Sequence, residues 1–135
     1  MRSIVMAGGE FKPAPHLIDM LSTAELLVAA DSGAVTLIAL GFLPDVVVGD
    51  FDSVDQTVLD RIGAGGAEVR RYPMEKDASD TELAVAAALE RGADDLIVMG
   101  ALGGPRLDHM LANVMLLALP TLADKRVRMV DIVCI

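Results

Sequence analysis

Two aspartates, Asp50 and Asp52, lie one residue apart directly after a run of three valines in the stretch VVVGDFDS, residues 46–53. The β-branched run predicts a buried parallel strand, and Gly49 permits a sharp turn at its end. Carboxylates this close repel each other unless a cation or a proton lies between them. Mg²⁺ fits that position, since it takes oxygen ligands and commonly binds together with phosphates. Aspartate is also common in turns and helix caps, so this stretch alone does not separate a metal site from an ordinary turn.

Three other segments also follow predicted strands and lead into predicted helices. They are Asp31-Ser32-Gly33, Lys76-Asp77-Ala78-Ser79-Asp80-Thr81 and Gly103-Gly104-Pro105-Arg106-Leu107-Asp108-His109. Helix N-termini offer free N–H groups and partial positive charge, which suit phosphate oxygens. The loops also carry carboxylates that could hold Mg²⁺ and cations that could balance phosphate charge. The carboxylates are Asp31, Asp50, Asp52 and Asp80, and the cations are Lys76 and Arg106.

Short apolar runs alternate with helical stretches along the chain, which predicts a parallel sheet with crossover helices. The expected fold class is α/β: a Rossmann-like three-layer sandwich with a mostly parallel sheet of about six strands and helices on both faces. The strands are predicted over residues 3–7, 26–30, 46–48, 68–72, 96–99 and 127–135. Polar loops at the carboxyl ends of such strands then share one edge of the sheet, where ligands bind in this fold class.

Two of the predicted helices have recognisable sequence patterns, a capping box in one and an apolar stripe in the other. The spacing of Ser79 and Glu82 is that of a capping box at the start of a helix. After Pro105, apolar residues recur at a spacing that predicts a core-facing helical stripe. These residues are Leu107, Met110, Leu111, Val114 and Ala118.

Composition narrows the function classes. The 135 residues suit one domain, and 53% of them are hydrophobic. No apolar run approaches the roughly 20 residues that span a bilayer, and no signal peptide opens the chain, so we expect a cytoplasmic protein without membrane contact. A net charge of −9, with 3% aromatic residues and no tryptophan, argues against a nucleic-acid surface. The sequence contains neither a P-loop motif nor a Gly-x-Gly-x-x-Gly fingerprint after the first strand.

In their order and spacing these segments resemble the catalytic domain of thiamine pyrophosphokinases, over about residues 25–117. The resemblance rests on ADSGA at 30–34, LG at 40–41 with PD at 44–45, and GDFDS at 49–53. It continues in KD at 76–77 with SDTELA at 79–84, and in GG at 103–104 with RLDH at 106–109 and AN at 112–113. The GDFDS and GG…RLDH motifs are highly specific in combination.

The resemblance implies transfer of the pyrophosphoryl group of ATP to the hydroxyl of thiamine, giving thiamine diphosphate and AMP, with Mg²⁺ as cofactor. It implies three sets of residues. The Mg²⁺ ligands are Asp31, Asp50 and Asp52. The ATP site includes Ser32, Gly33, Lys76, Asp77, Ser79, Asp80, Thr81 and Gly104. The contacts around the phosphates and adenosine are Arg106, Asp108, His109 and Asn113. For catalysis we expect Lys76 or Arg106 to stabilise charge on the bridging oxygen, and hypothesise that Asp80 accepts the thiamine proton.

The sequence departs from the family pattern in two ways. Pro105 lies between Gly104 and Arg106, where many family members run from the glycines straight into the arginine. The family's C-terminal β-rich domain, which helps to form the thiamine pocket across a dimer interface, is absent from residues 1–135. We therefore expect this chain to be the ATP-binding half of an enzyme that is a homodimer at full length.

Three alternatives stay open at this stage. Archaeal 6-hydroxymethyl-dihydropterin pyrophosphokinases have a related domain, so the acceptor could be a pterin. The Asp50-Phe51-Asp52 stretch also resembles the Asp-x-Asp of haloacid-dehalogenase-like phosphatases, although there the motif lies nearer the start of the chain. A non-catalytic domain that only binds Mg²⁺-nucleotide is the third.

Overall fold

A computed structural model describes residues 1–51, 54–73, 79–102, 111 and 114–130. In these residues, strands alternate with helices along the chain. The strands are β1 (Arg2–Met6), β2 (Leu26–Ala30), β3 (Val46–Gly49), β4 (Glu68–Arg71), β5 (Asp95–Met99) and β6 (Arg126–Val130). The α-helices are α1 (Pro15–Ser22), α2 (Gly33–Ala39), α3 (Gln56–Ala64) and α4 (Asp80–Glu90). Short 3₁₀ segments cover Leu116–Ala118 and Pro120–Leu122.

The six strands form one sheet in the order β4-β3-β2-β1-β5-β6, and every neighbouring pair is parallel. The carboxyl ends of all six strands therefore lie at one edge, here called the carboxyl edge, and their amino ends lie at the opposite, amino edge. The order reverses between β1 and β5, as in doubly wound folds. This confirms the predicted fold class, with a sheet that is fully parallel.

Helices cover both faces of the sheet. On one face, α1, α2 and α3 contribute Leu17, Leu37 and Ile62 to a core that includes Ile4 and Ile97. On the other face, α4 packs against β1, β2 and β3 through its small apolar residues. All five residues of β2 and all four of β3 are buried, which explains their continuous apolar sequences.

Side-chain caps fix where α3 and α4 begin. The Ser79 Oγ accepts a hydrogen bond from the Glu82 N–H at 3.1 Å, and Asp55 accepts one from the Thr57 N–H at 2.9 Å. Each cap satisfies a backbone donor that has no partner within its helix. The predicted Ser79 cap is thereby confirmed.

The predicted core-facing stripe of the last helix is wrong for the residues that the structure describes. Leu111, Val114 and Ala118 are exposed, whereas Leu116 is buried. The helix tightens to 3₁₀ geometry over Leu116–Ala118, and Leu119 before Pro120 is extended, as a residue preceding proline prefers. Periodicity shows which residues share a face of a helix, but not which face packs against the sheet. Leu107 and Met110 lie outside the described residues.

The predicted strands agree with the described ones to within a residue or two, apart from the last, of which residues 131–135 lie outside the described part. Within the described ranges, no helix has the length and apolar character needed to cross a bilayer.

Candidate functional site

Two carboxylates lie at the ends of adjacent central strands. Asp31 follows β2 and Asp50 follows β3, and both residues are half-buried. The Asp31 N–H donates to the Val48 carbonyl at 2.7 Å, so the ladder between the strands continues to their ends. A Cβ placed on Gly49 would lie only 3.1 Å from the Asp31 Cβ. The strand ends therefore meet closely at Gly49, where a side chain would crowd Asp31.

Unusual backbone conformations mark the same place. Asp31 has φ 48° and Phe51 has φ 64°, while Gly49 between them has φ 147°. Positive φ is disfavoured for residues with a Cβ, because the Cβ approaches the carbonyl oxygen. In the described ranges Asp31 and Phe51 are the two non-glycine residues with this conformation. Such outliers persist where the surroundings fix them, and they cluster at functional sites.

The loop after β2 is tied closely to the loop after β1. The Ser32 Oγ donates to the Gly8 carbonyl at 3.2 Å. A Cβ on Gly33 would lie 2.2 Å from the Met6 carbonyl oxygen, so the residue that opens α2 can only be glycine without a backbone shift. These contacts hold the Asp31-Ser32-Gly33 segment against the end of β1.

The start of α4 lies at the same edge, because this helix leads from the carboxyl end of β4 back to the amino end of β5. Ser79 caps it, Asp80 is half-buried in its first turn, and the Thr81 side chain is buried at 7% exposure. Since α4 packs on β2 and β3, its first turn lies at the edge of the sheet where Asp31 and Asp50 follow those strands.

One residue of this edge was missed by the sequence analysis. Arg71, the last residue of β4, donates from Nη1 to the Asp50 carbonyl at 3.2 Å. Its guanidinium carbon lies 5.5 Å from the centroid of the Phe51 ring. Arg70 and Arg71 look alike in the sequence. Strand alternation does place them on opposite faces, which is the signal that could have drawn attention to one of them.

The structure thus brings Asp31, Ser32, Gly33 and Asp50 together, with Ser79, Asp80 and Thr81 at the same edge. The other predicted site residues lie outside the described part of the chain. They are Asp52, Lys76, Asp77, Gly104, Arg106, Asp108, His109 and Asn113. Pro105 lies outside it as well.

The donor set at this edge is chemically suited to Mg²⁺. Asp31 and Asp50 supply carboxylate oxygens, the ligands that this ion takes, and Mg²⁺ commonly uses only one or two carboxylates and completes its shell with waters and phosphates. The described residues contain no group of three histidine, cysteine or acidic side chains able to hold a metal ion. Asp52, the third predicted ligand, lies outside those residues.

An all-parallel, doubly wound sheet with carboxylates and a capped helix start on its carboxyl edge defines a ligand-binding α/β domain. Comparison with known proteins is more specific. The family model for the thiamin pyrophosphokinase catalytic domain matches residues 17–130. The chain belongs to this family.

Individual relatives of similar sequence carry the name of the same family. Thiamine pyrophosphokinase of Bacillus subtilis is 34% identical over 127 residues, covering 94% of this chain and 59% of that protein. A solved structure of the Bacillus subtilis thiamine pyrophosphokinase superposes with TM-score 0.79 at 32% identity, over 98% of this chain and 61% of the other. A thiamin pyrophosphokinase family protein of Enterococcus faecalis gives TM-score 0.80 at 30% identity, over 97% and 62%. The chain therefore spans about three-fifths of the length of these relatives. These findings do not favour the pterin, phosphatase or binding-only alternatives.

Proposed function

We propose that this chain is the Mg²⁺-ATP-binding half of an enzyme that transfers a pyrophosphoryl group from ATP to thiamine. The observation that carries the proposal is the position of Asp31 and Asp50 directly after the adjacent strands β2 and β3, with the start of α4 at the same edge of the sheet, in a chain of this family. The relatives of similar sequence are named thiamine pyrophosphokinases, which supports the choice of reaction.

In the proposed reaction the hydroxyl oxygen of thiamine attacks the β-phosphorus of ATP. The bond from that phosphorus to the oxygen bridging it to the α-phosphorus breaks, and AMP leaves. A bound Mg²⁺ supplies charge neutralisation for the phosphate oxygens. Little covalent chemistry falls to the protein in such transfers, so its side chains act by positioning and by electrostatics.

We assign the metal-binding, phosphate-binding and proton-accepting roles to different residues of this chain. Asp31 and Asp50, with Asp52, would hold Mg²⁺. The first turn of α4 offers N–H groups to phosphate oxygens, and the Ser79 cap fixes where that turn begins. Asp80 is our candidate to accept the hydroxyl proton. We expect Lys76 and Arg106 to stabilise charge on the leaving oxygen, and Asp108, His109 and Asn113 to complete the nucleotide site.

Substitution of the two described carboxylates tests the proposal. Asp50→Asn and Asp31→Asn each keep the shape of the side chain but remove the charge that binds the metal. We expect either change to weaken Mg²⁺-dependent ATP binding, measured by titration calorimetry, by at least about 10-fold, since even partners of metal ligands usually matter by that much. Asp94→Asn is the control, because it removes the same charge at the amino edge.

Unchanged ATP affinity in Asp50→Asn, or equal affinity with and without Mg²⁺ in the parent chain, would overturn the assignment. Formation of thiamine diphosphate from ATP and thiamine, with 6-hydroxymethyl-dihydropterin as the competing acceptor, tests the choice of acceptor. A homodimeric full-length enzyme and a cytoplasmic location stay predictions.

A further inference from the structure

Arg71 connects the edge strand β4 to the turn that carries Asp50. Its guanidinium makes two different contacts there, a hydrogen bond from Nη1 to the Asp50 carbonyl oxygen at 3.2 Å and a cation–π contact with the Phe51 ring at 5.5 Å. A guanidinium within about 6 Å of a ring centroid is attracted to the ring face. One side chain thus holds both the backbone before Phe51 and the ring of Phe51 itself.

Phe51 needs such support. Its φ of 64° is disfavoured for a bulky side chain, and its ring is 3% exposed. Burial of the ring fixes one side of the residue in the core below the sheet edge. The Arg71 guanidinium acts on the other, solvent-facing side, because Arg71 itself is exposed.

The backbone ladder stops just short of this turn. The Tyr72 N–H donates to the Gly49 carbonyl at 2.9 Å, and beyond the turn the Val54 N–H donates to the Phe51 carbonyl at 3.2 Å. The Asp50 carbonyl lies between these two bonds and accepts from Arg71. The arginine therefore bridges the last strand bond and the bond that closes the turn.

We propose that Arg71 is a positioning residue for the metal-nucleotide site, holding the Asp50 carbonyl and the left-handed Phe51 in place so that the Asp50 carboxylate is presented to Mg²⁺. The inference rests on the proposed function. The inference adds to that function a role for Arg71, which contacts the backbone of a proposed metal ligand and not the metal itself. Groups that orient metal ligands commonly change metal affinity by 10–100-fold.

Arg70 provides a matched control. It precedes Arg71 on the same strand, but its guanidinium pairs with Glu68 at 3.0 Å and with Glu90 at 2.8 Å, away from the turn. Arg70→Met and Arg71→Met remove the same charge from neighbouring positions, and only the second removes contacts with the turn.

The test is the affinity for inorganic pyrophosphate, measured by titration calorimetry with Mg²⁺ and again with EDTA. Tyrosine emission provides a second signal from this corner, because Tyr72 is the only tyrosine and the chain has no tryptophan. Neither pyrophosphate nor Mg²⁺ absorbs at the wavelength that excites it. A melting curve of each variant verifies that it is folded, which we expect because the Arg71 side chain is exposed.

We expect Arg71→Met to weaken Mg²⁺-dependent pyrophosphate binding about 10-fold and to leave binding in EDTA unchanged. Arg71→Lys keeps the charge but lacks the planar fork that serves carbonyl and ring together, so its affinity should fall in between. Arg70→Met should bind as the parent chain does.

Equal affinity in Arg71→Met and the parent chain would overturn the inference. So would a loss of the same size with and without Mg²⁺, since that would make Arg71 a direct contact of the phosphate. If the parent chain itself shows no Mg²⁺-dependent binding, both the proposed function and the inference are wrong. If the parent chain shows such binding and Arg71→Met shows it equally, only the inference is wrong.

Discussion

The two edges of the sheet contain the same kinds of residue and use them differently. At the carboxyl edge, glycines lie where neighbouring backbone leaves no room for a side chain, as Gly33 does against Met6. At the amino edge, Gly92 has φ 93° at the end of α4, and a Cβ there would meet nothing within 4 Å. The first glycine serves close approach between loops, whereas the second serves only to end a helix.

The surroundings of the charged side chains also differ between the two edges. At the amino edge the N-terminal ammonium pairs with Asp94, and Asp95 accepts from Arg2 at 3.1 Å and from Arg128 at 3.4 Å. The side-chain hydrogen bond to Asp94 raises the pKa of the ammonium, and the same bond lowers the pKa of Asp94. Opposite charges thus satisfy each other at this edge. At the carboxyl edge, Asp31 and Asp50 lie at the ends of adjacent strands, and Arg71 donates to the Asp50 backbone carbonyl at 3.2 Å.

Residue type alone therefore does not identify the site. Aspartates and glycines follow or precede strands at both edges. The features that distinguish the carboxyl edge are close backbone contact at its glycines and positive φ at residues with a Cβ.

The largest effect that would test this comparison is expected for Gly33→Ala. Helix propensity alone favours alanine by up to about 1 kcal/mol. The Cβ would nevertheless lie 2.2 Å from a carbonyl oxygen, so we expect a net loss of about 3 kcal/mol or more in the free energy of unfolding, measured by urea denaturation.

Gly92→Ala is the matched substitution at the amino edge. The space is open there, so the cost is confined to the strained φ, about 1 kcal/mol. Equal losses in the two variants would show that the edges do not differ in backbone packing.

A smaller effect is expected from the charges of the amino edge. Burial raises the pKa of the Asp95 carboxyl, but the hydrogen bond from Arg2, with the charges of Arg2, Arg128 and Arg126, outweighs it and leaves the pKa below its usual value. A carboxyl with a lowered folded-state pKa stabilises the protein above its unfolded-state pKa, near 4, and loses that contribution as the pH falls through the folded-state value.

Asp95→Asn should therefore lower the free energy of unfolding by roughly 0.5–1 kcal/mol at pH 7, and by progressively less below about pH 4. Urea denaturation of both proteins from pH 7 to pH 3 measures the difference. A gap that stays constant down to pH 3 would contradict the ion-pair explanation.

The sequence predicted the strands and the parallel sheet because the local patterns of apolar and capping residues agree with the tertiary structure. The short apolar runs of β2 and β3 predicted buried strands, and both are fully buried in the structure. The Ser79 cap depends on a spacing that is visible in the sequence. The carboxyl-edge position of Asp31 and Asp50 then followed from the parallel topology.

Features that depend on contacts distant in sequence were not predictable in this way. The contact between Arg71 and the Asp50 carbonyl joins residues 21 apart in the sequence. Strand alternation separates Arg70 from Arg71 but does not show which of them reaches the turn after β3. The positive φ of Phe51 follows from the fixed positions of its neighbours. The apolar stripe after Pro105 was predicted wrongly because periodicity shows which residues share a helix face and not which face is covered, and Leu111 and Val114 are exposed.

An amide NMR titration of the ¹⁵N-labelled chain with ATP, in Mg²⁺ and in EDTA, tests directly whether the carboxyl edge binds Mg²⁺-nucleotide. We expect Mg²⁺-dependent shifts at Asp31, Asp50 and Asp80, with the amides of Arg2, Asp95 and Arg128 unchanged. Shifts concentrated at the amino edge, or shifts at the carboxyl edge that are the same in EDTA, would contradict it.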